Sequence, residues 1–261
     1  MTPVLKATGI SVRFGGVHAV DDVDLEVGEG QLVGLIGPNG AGKTTFIDAI
    51  SGFVRSDGTV ELDGADLTRL PPHARARRGL ARTWQSIELF DDLSIGENLL
   101  VASHRPPTWK TVLETVSVPG DASAEVAPAL RLLGLDEVAD RMPTELSQGQ
   151  RKLAGIARAL VAKPRVVCLD EPAAGLDTVE SEELGARLRA LADDGQAMLL
   201  VDHDMGLVLG ICDEVVVLEF GKVIARGSPD VVRRDQKVIA AYLGSAASEL
   251  DPAGLAEGDR A

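Results

Sequence analysis

Gly37-Pro38-Asn39-Gly40-Ala41-Gly42-Lys43-Thr44-Thr45 fills the pattern G-x-x-x-x-G-K-[ST]. The residues before it, Leu32-Val33-Gly34-Leu35-Ile36, read as a buried strand, and Lys43 to Ile50 read as a helix stopped by Gly52. Strand, loop and helix in that order are the context in which the pattern holds phosphate. The glycines let successive backbone N–H groups turn towards one centre, and the helix N-terminus adds partial positive charge there. A nucleoside triphosphate is the expected guest, so Gly37 to Thr45 are the candidate phosphate-binding residues. Lys43 is expected to reach the β- and γ-phosphates as a point charge, and the Thr44 hydroxyl to complete the shell of a Mg²⁺ ion.

The surroundings limit what this loop serves. The chain has 261 residues, 45% of them hydrophobic, enough for one large domain or a domain with a subdomain. Its apolar runs, such as Met205 to Cys212, are far shorter than the roughly 20 residues that cross a bilayer. The start, MTPVLKATG, lacks the regions of a signal peptide, and a cytoplasmic location is expected. A formal net charge of −14 opposes general attraction to nucleic acid. The densest basic run, His73-Ala74-Arg75-Ala76-Arg77-Arg78, reads as a solvated helix face. The two cysteines, Cys168 and Cys212, sit in apolar stretches and read as core residues rather than a disulfide or metal pair.

Alternation from Val4 to Val27, broken at Gly15-Gly16, predicts two antiparallel strands with Phe14 at the break. Short strands follow at Gly58 to Gly64 and Leu80 to Gln85, the second after a helix opened by Pro71 and Pro72. From Ser86 to about Ala162 helical spacing takes over, which predicts a helical subdomain. Within it Ser94 and Glu97 have capping-box spacing. Residues 105–123 read as an exposed insert, Val126 to Leu135 as a helix packing Leu130, Leu132 and Leu133, and Gln150 to Ala162 as one packing Leu153, Ile156, Ala157 and Leu160. Strands return at Arg165 to Asp170 and Ala197 to Asp202 with a helix between, which implies parallel pairing. Val215 to Leu218 and Lys222 to Ala225 form an expected hairpin, and two short helices close the domain. The tail 245–261 is expected to be poorly ordered.

The strand Arg165-Val166-Val167-Cys168-Leu169 ends in two adjacent carboxylates, Asp170 and Glu171. Downstream of a phosphate-binding loop, Asp170 is expected to hold Mg²⁺ through water, and Glu171 to accept a proton from a water attacking the γ-phosphate. Leu146-Ser147-Gln148-Gly149-Gln150 lies a short way upstream, and with it the chain resembles the ATP-binding subunits of ABC transporters. Their signature is usually LSGGQ; here Gln148 replaces the first glycine.

That resemblance runs from Val4 to Gly244. It implies an α/β fold: a P-loop NTPase core with a mostly parallel sheet, an N-terminal antiparallel β subdomain and an α-helical subdomain at 86–162, together one nucleotide-binding domain over 1–244. It implies that Ser147, Gly149 and Gln150 contact ATP held by an opposite subunit. Gln85 resembles the glutamine that touches Mg²⁺ and the attacking water and senses the membrane partner. Phe14 resembles the aromatic that stacks on adenine, Asp177 belongs to a loop resembling the one that contacts the other subunit, and His203 resembles the histidine on the γ-phosphate. Arg82-Thr83-Trp84-Gln85, Ile87 to Phe90, Glu97 to Ala102, Ala173 to Leu176 and Ala240 to Gly244 are similar to branched-chain amino-acid importer ATPases, in particular the longer of their two ATPase subunits; Trp84 stands where phenylalanine is common. The implied partners are two transmembrane permease subunits, a second ATP-binding subunit in a homo- or heterodimer and, indirectly, a separate solute-binding protein. The implied place is the cytoplasmic face of the membrane. Importers of urea, amides or other small solutes share much of this pattern, and a soluble ABC ATPase outside transport is the remaining alternative. An N-K-x-D guanine motif is absent, since neither Asn39 nor Asn98 precedes lysine.

Overall fold

The computed structural model describes residues 3–85, 89–103 and 122–249. Two sheets organise it. Strands β1 (Leu5–Phe14), β2 (Val17–Val27), β4 (Asp57–Leu62) and β5 (Ala65–Asp66) form an antiparallel sheet in the order β2-β1-β4-β5. The second sheet has the order β10-β9-β3-β8-β7-β6, where β3 is Leu32–Ile36, β6 Leu80–Arg82, β7 Val166–Asp170, β8 Ala197–Val201, β9 Glu214–Glu219 and β10 Lys222–Gly227. All its pairings are parallel except the β9–β10 hairpin. That hairpin turns at Phe220 and Gly221, both with positive φ (46° and 80°), which matches the strands' right-handed twist.

Side chains alternate between two cores. On one face Val33, Leu35, Cys168, Leu199 and Val216 pack with the antiparallel sheet and helix α1 (Lys43–Ser51). On the other, Leu32, Ile36, Val167, Leu169, Leu200 and Val217 pack with helices. A sheet covered on both faces explains why its central strands read as unbroken apolar runs. The helical layer contains α3 (Ile95–Ser103), α4 (Ala122–Leu133), α5 (Gln148–Val161), α6 (Thr178–Asp193) and α7 (Met205–Ile211). Gly34 faces α7: a Cβ there would lie 2.5 Å from Val208 Cγ1 and 3.1 Å from Cys212 Sγ.

Most sequence expectations hold, with instructive departures. The Ser94–Glu97 box forms in both directions, at 2.7 and 3.2 Å. Helix α4 starts at Ala122, inside the expected insert, whose residues 105–121 lie outside the described part, as do 86–88 and 104. Leu130 and Leu133 are buried, but Leu132 points outward, because three leucines so close along a helix cannot share one face. Strand β6 ends at Arg82, before Gln85. Helix α5 starts at Gln148 with Ser147 as its N-cap, two residues before the expected start.

The basic run on α2 (Pro72–Arg78) is not wholly a solvated face. Arg75 is buried: it donates to Ala49 O and Ile50 O at the end of α1, and to Thr68 O and Leu70 O. Helix ends leave carbonyls unsatisfied, and a planar five-donor guanidinium answers two of them at the end of α1 together with two from the segment before α2. After α8 (Pro229–Arg234), α9 runs from Gln236 to Glu249, beyond the Gly244 at which the tail was expected to begin. Residues 250–261 lie outside the described part.

Candidate nucleotide site

The phosphate-binding loop connects β3 to α1, and its glycines are required by position. Gly37, Gly40 and Gly42 have φ of 152°, 78° and 102°. A Cβ on Gly37 would fall 2.2 Å from Leu218 O, and one on Gly42 would fall 2.3 Å from Ala19 O. The loop is therefore pressed between β9 and β2, and closed by Ala41 N–H donating to Pro38 O at 3.1 Å. The β9–β10 turn braces it, with Gly221 N–H donating to Ala41 O at 3.0 Å.

Lys43 is buried and donates to Gly37 O at 2.7 Å and Pro38 O at 3.1 Å. Burial holds its pKa below the usual lysine value, opposed by the nearby carboxylates of Glu171, Asp170 and Asp202. Thr44 and Thr45 lie in the first turn of α1, the Thr44 side exposed. Asn39 and Gly40 are exposed at the loop's outer edge.

The ends of β7 and β8 deliver the carboxylates. Asp170 is buried, which pushes its pKa up, while Arg82 pulls it down through NH2 at 2.9 Å from Asp170 Oδ2. Glu171 leaves the strand with φ of 48°, an unusual conformation for a side-chain-bearing residue, and its N–H donates to Val201 O at 2.7 Å. That turn separates the two acids' directions. Gln85 Nε2 donates to Glu171 Oε2, and His203 Nδ1 stands 3.9 Å from the same oxygen, with the His203 side chain 59% exposed. Gln85, Glu171 and His203 thus meet at one edge of the sheet, beside the Lys43 ammonium.

Asp202, which sequence reasoning passed over, holds this edge together. It is fully buried and accepts from the backbone N–H groups of His203 (2.8 Å), Asp204 (3.0 Å) and Ala173 (3.0 Å). It therefore ties the His203 loop to the loop after Glu171. Its place directly before His203 at a strand end was the available signal. Lys152 was also missed: it is buried on α5, donates to Gln85 O at 3.4 Å, and lies close enough to Asp202 and Glu171 to feel their charge.

Other expected residues make their hydrogen bonds elsewhere. Ser147 Oγ accepts from Gln150 N–H (3.2 Å) and Gln150 Oε1 from Ser147 N–H (3.1 Å), which caps α5. Gly149 N–H donates to Glu180 Oε1 at 3.1 Å, and Asp177 caps α6 by accepting from Glu180 N–H at 2.8 Å. The signature segment is thereby fastened to α6. Phe14 ends β1 with 55% of its surface exposed.

The donors suit Mg²⁺. A hydroxyl, a carboxylate and an amide oxygen are hard ligands, and among the described residues no group of three or more His, Cys, Asp or Glu could cage a metal unaided. Both cysteines are free and buried, and burial pushes the Cys168 thiol up to about 12.

Beside Gln85 lies a groove of 840 Å³, lined by Trp84, Phe90, Val101, Ile156, Ala159 and Pro172 among others. Trp84, Phe90 and Val101 are exposed large apolar residues. Among the described residues no helix is long and apolar enough to cross a membrane.

Comparison with known proteins places these features. The ABC transporter family model matches residues 20–174, and a model described as branched-chain amino acid ATP-binding cassette transporter matches 222–248. The high-affinity branched-chain amino acid transport ATP-binding proteins BraF of Pseudomonas aeruginosa and LivG of Escherichia coli K12 are each 40% identical over 252 residues, 94% of this chain and 99% of theirs. The lipopolysaccharide export system ATP-binding protein LptB of Escherichia coli K12 is 34% identical over 92% of the chain and 97% of its own length. An ATP-binding cassette of an ABC transporter solved in its ADP conformation superposes with a TM-score of 0.83 at 30% identity, over 94% of this chain and 100% of that one.

Proposed function

Since the chain belongs to the ABC transporter family as an ATP-hydrolysing subunit, we propose that it powers import of branched-chain or other hydrophobic amino acids. The observation that carries the catalytic part is the convergence of Gln85, Glu171 and His203 at the sheet edge beside Lys43. The cargo is supported by the match over 222–248 and by the 40% identical relatives. Likeness to a lipopolysaccharide exporter's ATPase supports the shared engine rather than a cargo.

In this reading the glycine loop and Lys43 bind the triphosphate, and Phe14 stacks on the adenine. Glu171 accepts the proton of the attacking water, with Gln85 and His203 orienting that carboxylate and the water. When bound through Thr44, Gln85 and Asp170, Mg²⁺ supplies charge neutralisation at the β- and γ-phosphates. Ser147, Gly149 and Gln150 serve the nucleotide of a second ATP-binding subunit, so two cassettes close head to tail and hydrolysis reopens them. ATP drives that two-state motion by its preference for the closed form.

The groove beside Gln85, with Trp84, Phe90 and Val101 exposed on it, supports docking of a segment of one permease subunit on each of two cassettes, and in this reading the chain works at the cytoplasmic face of a membrane. A separate solute-binding protein acts through those permeases, and a net charge of −14 opposes general attraction to nucleic acid.

The test is purification from native membranes. Co-purification with two membrane-spanning subunits, and ATP turnover stimulated by a branched-chain amino acid with its binding protein, is the expected result. Stimulation by urea or an amide instead would reassign the cargo; full activity with no membrane partner would overturn the transport reading.

A further inference from the structure

Arg82 ends β6 with a side chain only 6% exposed, and it is used on three sides. One guanidinium nitrogen, NH1, pairs with Asp48 on α1, the helix opened by the phosphate-binding loop. The other, NH2, donates to Asp170 Oδ2 at 2.9 Å, on the strand that presents both acids. Its carbon lies 4.2 Å from the Trp84 ring centroid and 5.7 Å from that of Phe53. The two rings meet edge to face, with centroids 4.9 Å apart and planes at 78°. Trp84 and Phe53 are nevertheless 49% and 53% exposed, and Arg82 and Trp84 both line the 840 Å³ groove.

Burying a guanidinium between two acids is costly unless its geometry is satisfied on both sides. A planar fork can pair with two carboxylates while its face stacks on an indole; an ammonium cannot do both. With Oδ2 committed to Arg82, rotation of the Asp170 carboxyl is fixed. We propose that Arg82 is a positioning residue for Asp170, held in place by Trp84 and Phe53, so that the groove and the catalytic edge share one side chain. Whatever shifts Trp84 from the groove side loosens Arg82, and through it Asp170. This rests on the reading of the chain as an ATPase. A purely structural Arg82 would instead fasten α1 to β7 and affect every form of nucleotide binding alike.

The experiment compares the full chain with Arg82→Gln, Arg82→Lys, Trp84→Ala and Trp84→Phe. It measures ATP affinity in EDTA, ATP affinity at saturating Mg²⁺, the Mg²⁺ concentration for half-maximal binding, kcat, and the thermal midpoint. For Arg82→Gln the expected result is unchanged ATP affinity in EDTA, with kcat down and half-saturating Mg²⁺ up by about tenfold or more, the scale of losing a residue that orients a metal ligand. Arg82→Lys should recover part of the loss. Trp84→Ala should raise half-saturating Mg²⁺ more than Trp84→Phe, which retains an aromatic face. Parent-like Mg²⁺ dependence in Arg82→Gln, or equal loss of affinity with and without Mg²⁺, overturns the proposal. Should Arg82→Gln fail to fold, parent-like Mg²⁺ dependence in both Arg82→Lys and Trp84→Ala overturns it. Absence of turnover in the unaltered chain would count against the ATPase reading, while Mg²⁺-dependent nucleotide affinity would still decide the role of Arg82.

Discussion

Glu171 sits in a left-handed conformation within reach of both Gln85 and His203, and this supports the proposal that its carboxylate, rather than that of Asp170, accepts the proton. Glu171→Gln keeps the shape and removes the base. Turnover should fall by about 10²- to 10⁴-fold, the usual worth of a general base, with ATP affinity retained; near-normal turnover would refute the role. Lys43→Ala should act on binding, weakening ATP by about 2 kcal/mol for a lost charge-assisted contact, read by calorimetry. Unchanged affinity would reject the phosphate assignment. Lys43, Asp170 and Glu171 were legible because each occupies a fixed place in a short motif. Asp202 and Arg82 were not, because their importance lies in partners distant along the chain: Ala173 for one, Asp48 and Asp170 for the other.

Among the elements, β3 and α1 show where local pattern suffices and where it does not. The apolar run, the loop glycines and Gly52 define both elements without outside help, and Gly52 does end α1 in the left-handed conformation. Two packing constraints on them come from elsewhere. Gly34 leaves room for Val208 and Cys212, so Gly34→Ala should overpack that contact and cost about 1–3 kcal/mol, seen as a lowered thermal midpoint. A midpoint equal to the parent's would show that α7 moves aside freely. The end of α1 is satisfied by Arg75 from α2. Arg75→Met retains bulk but orphans buried carbonyls, and about 3 kcal/mol of stability should be lost in a denaturant titration. A surface cation would lose almost nothing, which separates the observed role from the solvated face that the basic run suggested.

At the scale of the molecule, the phosphate loop and the signature segment belong to different surroundings. Ser147 and Gln150 cap α5, and Gly149 is held by Glu180 on α6. Two inactive variants, Lys43→Ala and Ser147→Arg, should therefore restore turnover when mixed, since a mixed pair of chains retains one intact loop facing one intact signature. Failure to recover would reject head-to-tail pairing of two copies of this chain. The sequence by itself determined the nucleotide loop, the paired acids, the parallel pairing of the core strands and the family, because these depend on residues close together or on strict periodicity. Only the tertiary structure decided that Asp202 and Arg82 brace the catalytic edge, that Arg75 closes α1, and that Arg82 reaches from the groove to Asp170. The reason is physical: a buried charge is tolerated only where several elements bring it partners, and those partners are neighbours in space alone.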